Sequence, residues 1–491
     1  MELQLAYNQR TQITTTLNSS AIDFATNIRR LPVSFRGRVQ EPYVLRQLLL
    51  GVQTVILGDY TWAGQQWVLD PVITVHPDEI FFEAFSSDES SYVRLSAKQE
   101  AFQELGETTY GTTNIDFTQG LRNALMHMRS SRDTVFTVGA GGFGVQTAIN
   151  AEKANIHYEQ KVELPDSWVK GFLQVQGALM MKPFTFTVRS ADMLSVINYL
   201  LENKIRRPPN GMRYIFSSDQ AIKVILEPWE ETFTFYDTHY EGYDRVVRVW
   251  GRKRLETLQR VLPYADSVTI GVLGRGLPHF YIAHCGNYDF MLLLSGWVNN
   301  KWSSGSSFDL MQQVEPSAEE VARVYNALTQ NLVMRFGELK ANTLLDSTTL
   351  EAALNQLCRA GRVIYDPVRG RYRSRELFPE PIDVKQIFAP PPQMIRAKEL
   401  LDAVTIDRVF PSDVRQNETK ALAEVYDDAR DETYSTLVAV DKDVRIRFAQ
   451  CQCDFFQEHI MSRGPCEHIL ATHIAATEQY KQLIEAEREK I

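Results

Sequence analysis

The chain has few cysteines, no long hydrophobic run and no excess of positive charge. Five cysteines in 491 residues cannot form the disulfide framework of a small secreted protein. The most apolar stretches, YVLRQLLLGVQTVILG and YDFMLLLSGWV, are too short or too interrupted to span a bilayer. The opening residues, MELQLAYNQRTQITTTLNSS, lack the basic head and apolar core of a secretory signal. These absences predict a cytoplasmic protein with no membrane partner.

The composition is that of a globular protein with several cores. Hydrophobic residues make up 44% of the chain and charged residues 23%, which is neither a disordered nor a fibrous balance. The formal net charge is -9, so no overall positive field attracts nucleic acid or anionic lipid. At about 100 to 200 residues per domain, the length predicts three or four units.

Residues 1–310 alternate strand-like runs with amphipathic segments. Strand candidates rich in β-branched and aromatic residues include KPFTFTVR, AIKVILEP, DRVVRVWG and PHFYIAHC. AKQEAFQELG and SADMLSVINYLLENK are helix candidates, and in the second Met193, Val196 and Leu200 follow helical spacing. We therefore predict a multidomain α+β protein, whose mixed α/β N-terminal region is one domain or two that meet near residue 160.

Residues 317–378 contain sharper helix signals. Ser317 with Glu320, and Thr348 with Glu351, form two capping boxes, each ahead of an amphipathic run. FGELKANTLL predicts a shorter helix between them, and RVIYD and RYRSREL follow as two strand-like runs. Three helices and a β-hairpin in this order resemble the winged-helix variant of helix-turn-helix, which implies a winged-helix-like domain.

The rest of the chain divides into a linker and a terminal module. PEPIDVKQIFAPPPQ opens residues 379–412, whose proline content predicts a linker or an extended strap. Residues 413–491 form the module. There CQCDFFQEHIMSRGPCEHILATH, residues 451–473, holds three of the five cysteines and three of the nine histidines. In a reducing compartment such clustered thiols more often hold metal than form disulfides.

Four side chains of this segment have the types and spacing of a structural zinc site. Cys451 and Cys453 form a C-x-C pair, and Cys466 and His468 form a C-x-H pair after a gap of twelve residues. Two such pairs complete a tetrahedral shell and leave no position for water. A strand would deliver the first pair, and the first turn of a helix the second, where the helix dipole favours a thiolate.

Alternatives to this interpretation remain. The cysteines could cluster by accident in a buried, reduced region, and iron or cobalt could occupy the same ligands as Zn²⁺. His459 and His473 are spare, and we expect them at the surface or behind the ligands rather than on the metal. A closed site supplies folding energy, so its presence argues against catalysis at the metal.

The phrases CQCDFF and GPCEHILA resemble the SWIM zinc finger, whose C-x-C and C-x-H pairs lie on a strand-strand-helix scaffold. Together with VKGFLQVQGAL and VRVWGRKRLETLQRVLP, they make the chain similar to bacterial SWIM-finger proteins. That family is often encoded beside MoxR-type AAA ATPases and von Willebrand A-domain proteins. The resemblance therefore implies a C-terminal ββα zinc finger and a protein partner system, and it implies no enzymatic activity.

A glycine-rich segment raises a different hypothesis. In TVFTVGAGGFGVQTA the glycines from Gly139 to Gly144 satisfy G-x-G-x-x-G after a strand-like run, as in dinucleotide-binding enzymes. The following VQTAINAEKANIHYEQ lacks the apolar face of a crossover helix, and a hairpin with a glycine tip explains the pattern as well. As a P-loop the segment fails, because Val145 and Gln146 stand where Lys and Ser or Thr are needed.

Three functions remain open, and charge separates two of them. Residues 317–378 hold nine basic and seven acidic side chains, and four of the basic ones, on the predicted wing, could grip phosphate: Arg369, Arg371, Arg373 and Arg375. Residues 411–491 hold ten basic and sixteen acidic side chains, which is poor for contact with phosphate. We predict first a non-catalytic zinc-finger adaptor or scaffold, second a DNA or RNA binder, and third an NAD-dependent enzyme. No catalytic residue is predicted.

Overall fold

The structure, a computed structural model, combines helices with several antiparallel sheets. It describes residues 3–4, 12–15, 20–23, 33–58, 71–114, 125–126, 128–131, 133–139, 142–147, 154–156, 163–164, 166–181, 183–204, 211–274, 277–296, 302, 316–376, 392–412, 418–441, 444, 446–459 and 464–488.

The strands of the N-terminal region are mostly short. They are β1 Leu3–Gln4, β2 Gln12–Thr15, β3 Ser20–Asp23, β4 Phe35–Val39, β5 Val72–Val75, β6 Glu79–Phe85, β7 Ser91–Lys98, β8 Phe102–Glu104, β9 Gly111–Asn114, β10 Thr134–Gly139, β11 Gly142–Thr147, β12 Ala154–Ile156, β13 Glu163–Leu164, β14 Phe184–Arg189, β15 Met212–Phe216, β16 Gln220–Leu226, β17 Glu231–Tyr240, β18 Arg245–Val249, β19 Ser267–Val272, β20 His279–Cys285 and β21 Tyr288–Leu294. The helices of this region are α1 Pro42–Ile56, α2 Asp166–Met180, α3 Ser190–Glu202 and α4 Leu258–Val261.

The remaining elements form two further units. The first has helices α5 Ala318–Asn331, α6 Phe336–Thr343 and α7 Ser347–Arg359 with strands β22 Val333–Arg335, β23 Val363–Asp366 and β24 Arg371–Ser374. The second has helices α8 Pro392–Glu399, α9 Asp454–His459 and α10 Glu467–Arg488 with strands β25 Val404–Pro411, β26 Glu418–Asp427, β27 Glu432–Asp441 and β28 Ile446–Cys451.

An eight-stranded antiparallel sheet organises the N-terminal region, in the order β14-β19-β20-β21-β7-β6-β5-β9. Strand β7 pairs with β21, so residues on both sides of position 160 share one sheet. Helix α1 packs on β6 and β7, burying Leu48 and Val52 completely. On β7 and β21 every residue but Lys98 is buried, because both faces of the sheet are covered. Strand β21, YDFMLLL, is accordingly apolar except for Asp289, whereas β7, SYVRLSAK, also buries the polar residues Ser91, Arg94 and Ser96.

Four of these strands match runs predicted from the sequence, and one predicted helix is a misread segment. KPFTFTVR, AIKVILEP, DRVVRVWG and PHFYIAHC contain β14, β16, β18 and β20. The helix expected in SADMLSVINYLLENK is α3. AKQEAFQELG, however, is the end of β7, a short 3₁₀ turn and β8, so the predicted helix there is wrong. Cross-strand pairing of β8 with β4 overrode a weak helical propensity.

Residues 318–374 contain the predicted three helices and hairpin, with β22 added to give a sheet in the order β22-β24-β23. The capping box of Ser317 and Glu320 is present. The second is not: Asp346 caps α7 by accepting hydrogen bonds from the backbone of Thr348 and Thr349. Assignment of this unit to the winged-helix class stays a prediction.

The predicted linker is partly ordered secondary structure. Within residues 379–412 the chain forms α8 and then β25, which pairs along its length with β26. The alternation in VTIDRVF is a strand pattern that the neighbouring prolines obscured. Residues 379–391 lie outside the described residues. The C-terminal unit is thus a four-stranded sheet, β25-β26-β27-β28, with α10 packed across it.

Candidate metal centre

The ends of one strand and one helix bring the four predicted ligands together. Cys451 is the last residue of β28, and Cys453 follows two residues later in the turn before α9. Cys466 lies immediately ahead of α10, and His468 lies in its first turn. Gly464 adopts the left-handed backbone at φ 86°, which lets the chain turn back sharply into this helix. The strand-then-helix placement predicted for the two pairs is confirmed.

The ligand atoms are close enough to bind a single ion. One ligand atom from each of the four residues lies within 4.8 Å of the others. Cys451 Sγ is 3.8 Å from His468 Nδ1. Around Zn²⁺ with bonds of about 2.3 Å to sulfur, the edges of a tetrahedron are about 3.8 Å long. The four side chains are at most 3% exposed. The residues present therefore fit a closed, thiolate-rich metal site, consistent with zinc.

The four side chains shift one another's pKa values through hydrogen bonds and burial. A hydrogen bond from the Cys451 thiol, and a second from Cys466, hold the pKa of Cys453 well below its usual range. Burial, and then the neighbouring Cys451 and Cys453, raise the pKa of Cys466. Burial opposes charge on His468, but its hydrogen bonds to Cys451 and Cys453 raise its pKa to about 10. Binding of a cation would replace these shared protons and release them.

A carboxylate lies behind the histidine. His468 Nε2 donates to Asp427 Oδ2 at 3.2 Å, which leaves Nδ1 directed at the cysteines. Asp427 is fully buried at the end of β26 and accepts from Arg396, from Arg430 and from the backbone of Ala429. Burial raises the pKa of Asp427, but these donors, Arg396 first, bring it far below its usual range. Asp427 was not predicted from the sequence, since no spacing rule connects it to the cysteines.

Two histidines of this segment, His459 and His473, are not among the predicted ligands. His473 is buried one turn along α10 and is not within the ligand cluster. Its ring nitrogens have no hydrogen-bond partner among the described residues, and burial lowers its pKa to about 4. His473 therefore lies in the core rather than at the surface. The side chain of His459 lies outside the described part of the chain.

The four arginines predicted to contact phosphate face carboxylates of the eight-stranded sheet. Arg373 is fully buried, donating to Asp78 at 2.6 and 3.0 Å and to Asp366 at 2.8 and 3.1 Å. Arg375 is also buried, 3.6 Å from Glu83. For either of these two to reach a nucleic acid, the hairpin would have to leave the sheet.

The other two arginines lie at the edge of the same contact. Arg369 is 3.1 Å from Glu79 and 3.5 Å from Asp289, and its side chain is 23% exposed. Arg371 is 3.4 Å from Asp78 and is 33% exposed. The structure thus brings the four arginines together around acidic partners, and none of the four is near the metal ligands.

The glycine segment is not a cofactor loop. Strands β10 and β11 pair as an antiparallel hairpin in which Gly139 is opposite Gly142. A dinucleotide site requires a strand that leads through the glycines into a helix, whose N-terminal amides receive the pyrophosphate. Here a strand follows the glycines, so the NAD-dependent reading of Gly139–Gly144 is wrong and the hairpin alternative is confirmed. Residues 140 and 141 lie outside the described residues.

The neighbouring His284 and Cys285 do not form a nucleophile pair. His284 Nδ1 donates to Asp289 at 2.7 Å, and its Nε2 accepts from Thr269 at 2.8 Å. The Cys285 side chain points to the opposite, buried face of β20, as expected for adjacent strand residues. Burial raises the pKa of its thiol to about 12.

Among the described residues, every helix is too short or too polar to cross a bilayer.

Comparison with known proteins identifies the C-terminal site. A model of the SWIM zinc finger matches residues 437–477, the range that contains all four ligands. No curated protein sequence matches the chain significantly. Among solved structures, the chain is similar to proliferating cellular nuclear antigen from Entamoeba histolytica, with a TM-score of 0.39 and 13% identity, covering 53% of this chain and 98% of that one. The ligand geometry and the sequence match agree: residues 437–477 of this chain are a SWIM zinc-finger domain.

Proposed function

We propose that this chain is a zinc-stabilised adaptor or scaffold whose finger has no catalytic role. The observation that carries the proposal is the closed ligand set: four protein side chains, each at most 3% exposed, converge on one point. Catalytic zinc keeps a position open for water or substrate, whereas structural zinc does not. The ion would fasten the end of β28 to the start of α10.

The surroundings of the site support a structural role for the metal. Several buried side chains of β26 are small, such as Thr419, Ala421 and Ala423, so this strand adds little apolar area to the core of its sheet. Four metal–ligand bonds would add folding energy that such packing lacks. We further propose that residues 413–491 act as one module of a cytoplasmic protein, beside a winged-helix-like domain at 317–378.

Protein partners suit the described surface better than nucleic acid does. Large exposed side chains in or beside the sheet β17-β16-β15-β18 include Tyr236 at 79%, Val246 at 58% and Tyr243 at 51%. Tyrosine is enriched at protein interfaces, where it supplies apolar area and a polar tip. Meanwhile the arginines of the hairpin already face carboxylates. The proposed partners are a MoxR-type AAA ATPase and a von Willebrand A-domain protein.

The first experiment measures metal content in protein purified without added metal or an affinity tag. We expect about one zinc per chain in the wild type and none in the Cys451→Ser, Cys453→Ser double variant. The matched control is Cys285→Ser with Cys358→Ser, which alters two buried cysteines outside the cluster and should keep the zinc. Absence of metal from reduced wild-type protein would overturn the assignment.

The second experiment separates the adaptor from a nucleic-acid binder. Wild-type protein is mixed in turn with the purified ATPase, with the A-domain protein, and with duplex and single-stranded oligonucleotides at two salt concentrations. A complex with either protein, lost in the cysteine double variant, supports the adaptor. Retention on oligonucleotide that falls steeply with salt, with neither protein bound, would replace it with the nucleic-acid function.

A further inference from the structure

The polar contacts of the metal centre extend beyond the SWIM match. Asp427 closes β26 ahead of residues 437–477, and Arg396 lies in α8, within the segment predicted to be a linker. Neither residue belongs to the four-ligand set. Both lie within two hydrogen bonds of His468, so the site has partners that a ligand pattern cannot reveal.

These contacts form a continuous chain. His468 Nε2 donates to Asp427 at 3.2 Å, and Arg396 Nη2 donates to the other oxygen of that carboxylate at 2.7 Å. Arg430 also donates to Asp427, and it reaches Glu467 at 3.0 Å. A histidine whose outer nitrogen donates to a fixed carboxylate has one ring orientation and an unprotonated inner nitrogen, which is the form that binds metal.

Apolar packing places α8 against the same two elements. Ala397 and Leu400 are buried against Val425 of β26 and against Leu470 and Ala471 of α10. Strand β26 carries Asp427, and α10 carries His468. Helix α8 therefore contacts both elements that carry the hydrogen bond orienting the ligand, and Arg396 reaches one partner of that bond, Asp427.

We propose that Asp427 is a positioning residue of the metal centre, and that Arg396 couples metal binding to the docking of α8. The metal then stabilises the docked helix, and the docked helix stabilises the metal, by the same factor. Loss of metal would weaken the docking of residues 392–403 on α10 by that factor, so these residues would report the metal state of the finger to the rest of the chain.

A pair of adjacent aspartates tests the role of Asp427. Asp427→Asn removes the charge behind His468, and we expect zinc affinity, measured by competition with a chelator of known affinity, to fall about 10- to 100-fold. The matched control is Asp428→Asn. Asp428 is 71% exposed and also contacts Arg396, but it makes no contact with His468, so affinity should change by no more than about twofold.

A spectroscopic measurement distinguishes positioning from general destabilisation. With Co²⁺ in place of zinc, the visible absorption bands report the geometry of the ligands around the ion. We expect these bands to shift in Asp427→Asn and to coincide with the wild type in Asp428→Asn. A folded Asp427→Asn protein with wild-type bands and an affinity within about twofold of wild type would overturn the positioning role.

The coupling is tested at a residue outside the finger itself. Arg396→Gln keeps every ligand and Asp427, and we expect about fivefold weaker zinc binding, at the low end for coupled sites because Arg396 is 25% exposed. Hydrogen exchange of residues 392–400 should rise in the same variant by a matching factor. Arg189→Gln, which removes a distant exposed arginine paired with two carboxylates, is the control. Unchanged zinc affinity in Arg396→Gln would refute the coupling even with the metal site intact.

Discussion

The cysteines of residues 451–466 and the arginines of residues 369–375 are both dense clusters of one residue type, yet they fold in opposite ways. The cysteines converge with His468 on a common point, so they are one another's partners. The arginines point away from their own hairpin, toward carboxylates in or beside strand β6 of the eight-stranded sheet, such as Asp78 and Glu83. Spacing along the chain therefore identified the first site, whereas the function of the second depends on residues that only the fold brings near.

The difference also concerns what each cluster requires. Three thiols and an imidazole within 4.8 Å of one another interact only through hydrogen bonds, and a cation would join them through four metal–ligand bonds. The hairpin arginines and the carboxylates are already neutralised by each other inside the protein. A ligand is thus implied at the first cluster, and none is implied at the second.

Metal withdrawal should produce the largest effect, and this effect should reach the finger and the docked helix α8 but not the eight-stranded sheet. Under reducing conditions a strong chelator removes an ion whose apparent binding free energy in such sites is about 10–16 kcal/mol. We expect β28 and the first turns of α10 to lose protection from hydrogen exchange, while β7, β20 and β21 keep theirs. Re-addition of zinc should restore the signal. Equal protection before and after metal removal would mean that the cysteine cluster, like the arginine network, is stable without a bound ligand.

The second largest effect should come from breaking the arginine network at its buried centre. Arg373→Met removes the cation that faces Asp78, Glu79 and Asp366, and leaves buried carboxylates without it. We expect the free energy of unfolding to fall by about 3–5 kcal/mol. Denaturant titration of the zinc-loaded protein, followed by tryptophan fluorescence, measures the loss.

A rim residue of the same network provides the control for that variant. Arg371 is 33% exposed and contacts only Asp78 among these carboxylates, at 3.4 Å, so Arg371→Gln should cost less than about 1 kcal/mol. If Arg373→Met proved no more costly than Arg371→Gln, the hairpin would not depend on its buried ion pairs, and the nucleic-acid interpretation of these arginines would gain ground.

The finger shows how much of a site the sequence can predict. The sequence predicted the C-x-C and C-x-H pairs, the strand before the first pair and the helix after the second. These features are predictable because ligand spacing and helix starts are local properties of the chain. The roles of Asp427 and Arg396 could not be predicted from the sequence. These residues lie in β26 and α8, and their relation to His468 arises from sheet pairing and helix packing, which no short pattern encodes.

The misread segments show the same limit. In AKQEAFQELG, pairing with β4 overrode a helical composition. The glycines from Gly139 to Gly144 match a dinucleotide-binding pattern, but a strand rather than a helix follows them. The two strands pair as a hairpin. Strands such as β14 and β20 were predictable because β-branched and aromatic residues mark buried strands wherever they pair. The structure of the misread segments depends on pairing with residues from distant parts of the chain.

The smallest expected effect is a pH dependence that belongs to the arginine cluster and not to the metal centre. His76 Nε2 donates to the carbonyl of Ser374 in the hairpin at 2.7 Å. Burial, and then the nearby Arg373 guanidinium, lower the pKa of His76 to about 3. In the unfolded chain its pKa is about 6.5. The unfolded state therefore takes up the proton first, and stability is lost as pH falls from about 6.5 towards 3.

His76→Gln isolates this contribution, because the glutamine amide can still donate to Ser374 but cannot titrate. We expect the free energy of unfolding of the wild type to fall more steeply than that of the variant between pH 6.5 and 4.5, by up to about 1.4 kcal/mol per pH unit. The carboxylates and the other buried histidines are the same in both proteins, so their contributions to the pH dependence cancel in the difference. Parallel curves would show that His76 carries its proton in the folded protein, and that the contact between hairpin and sheet is looser than its short hydrogen bonds indicate.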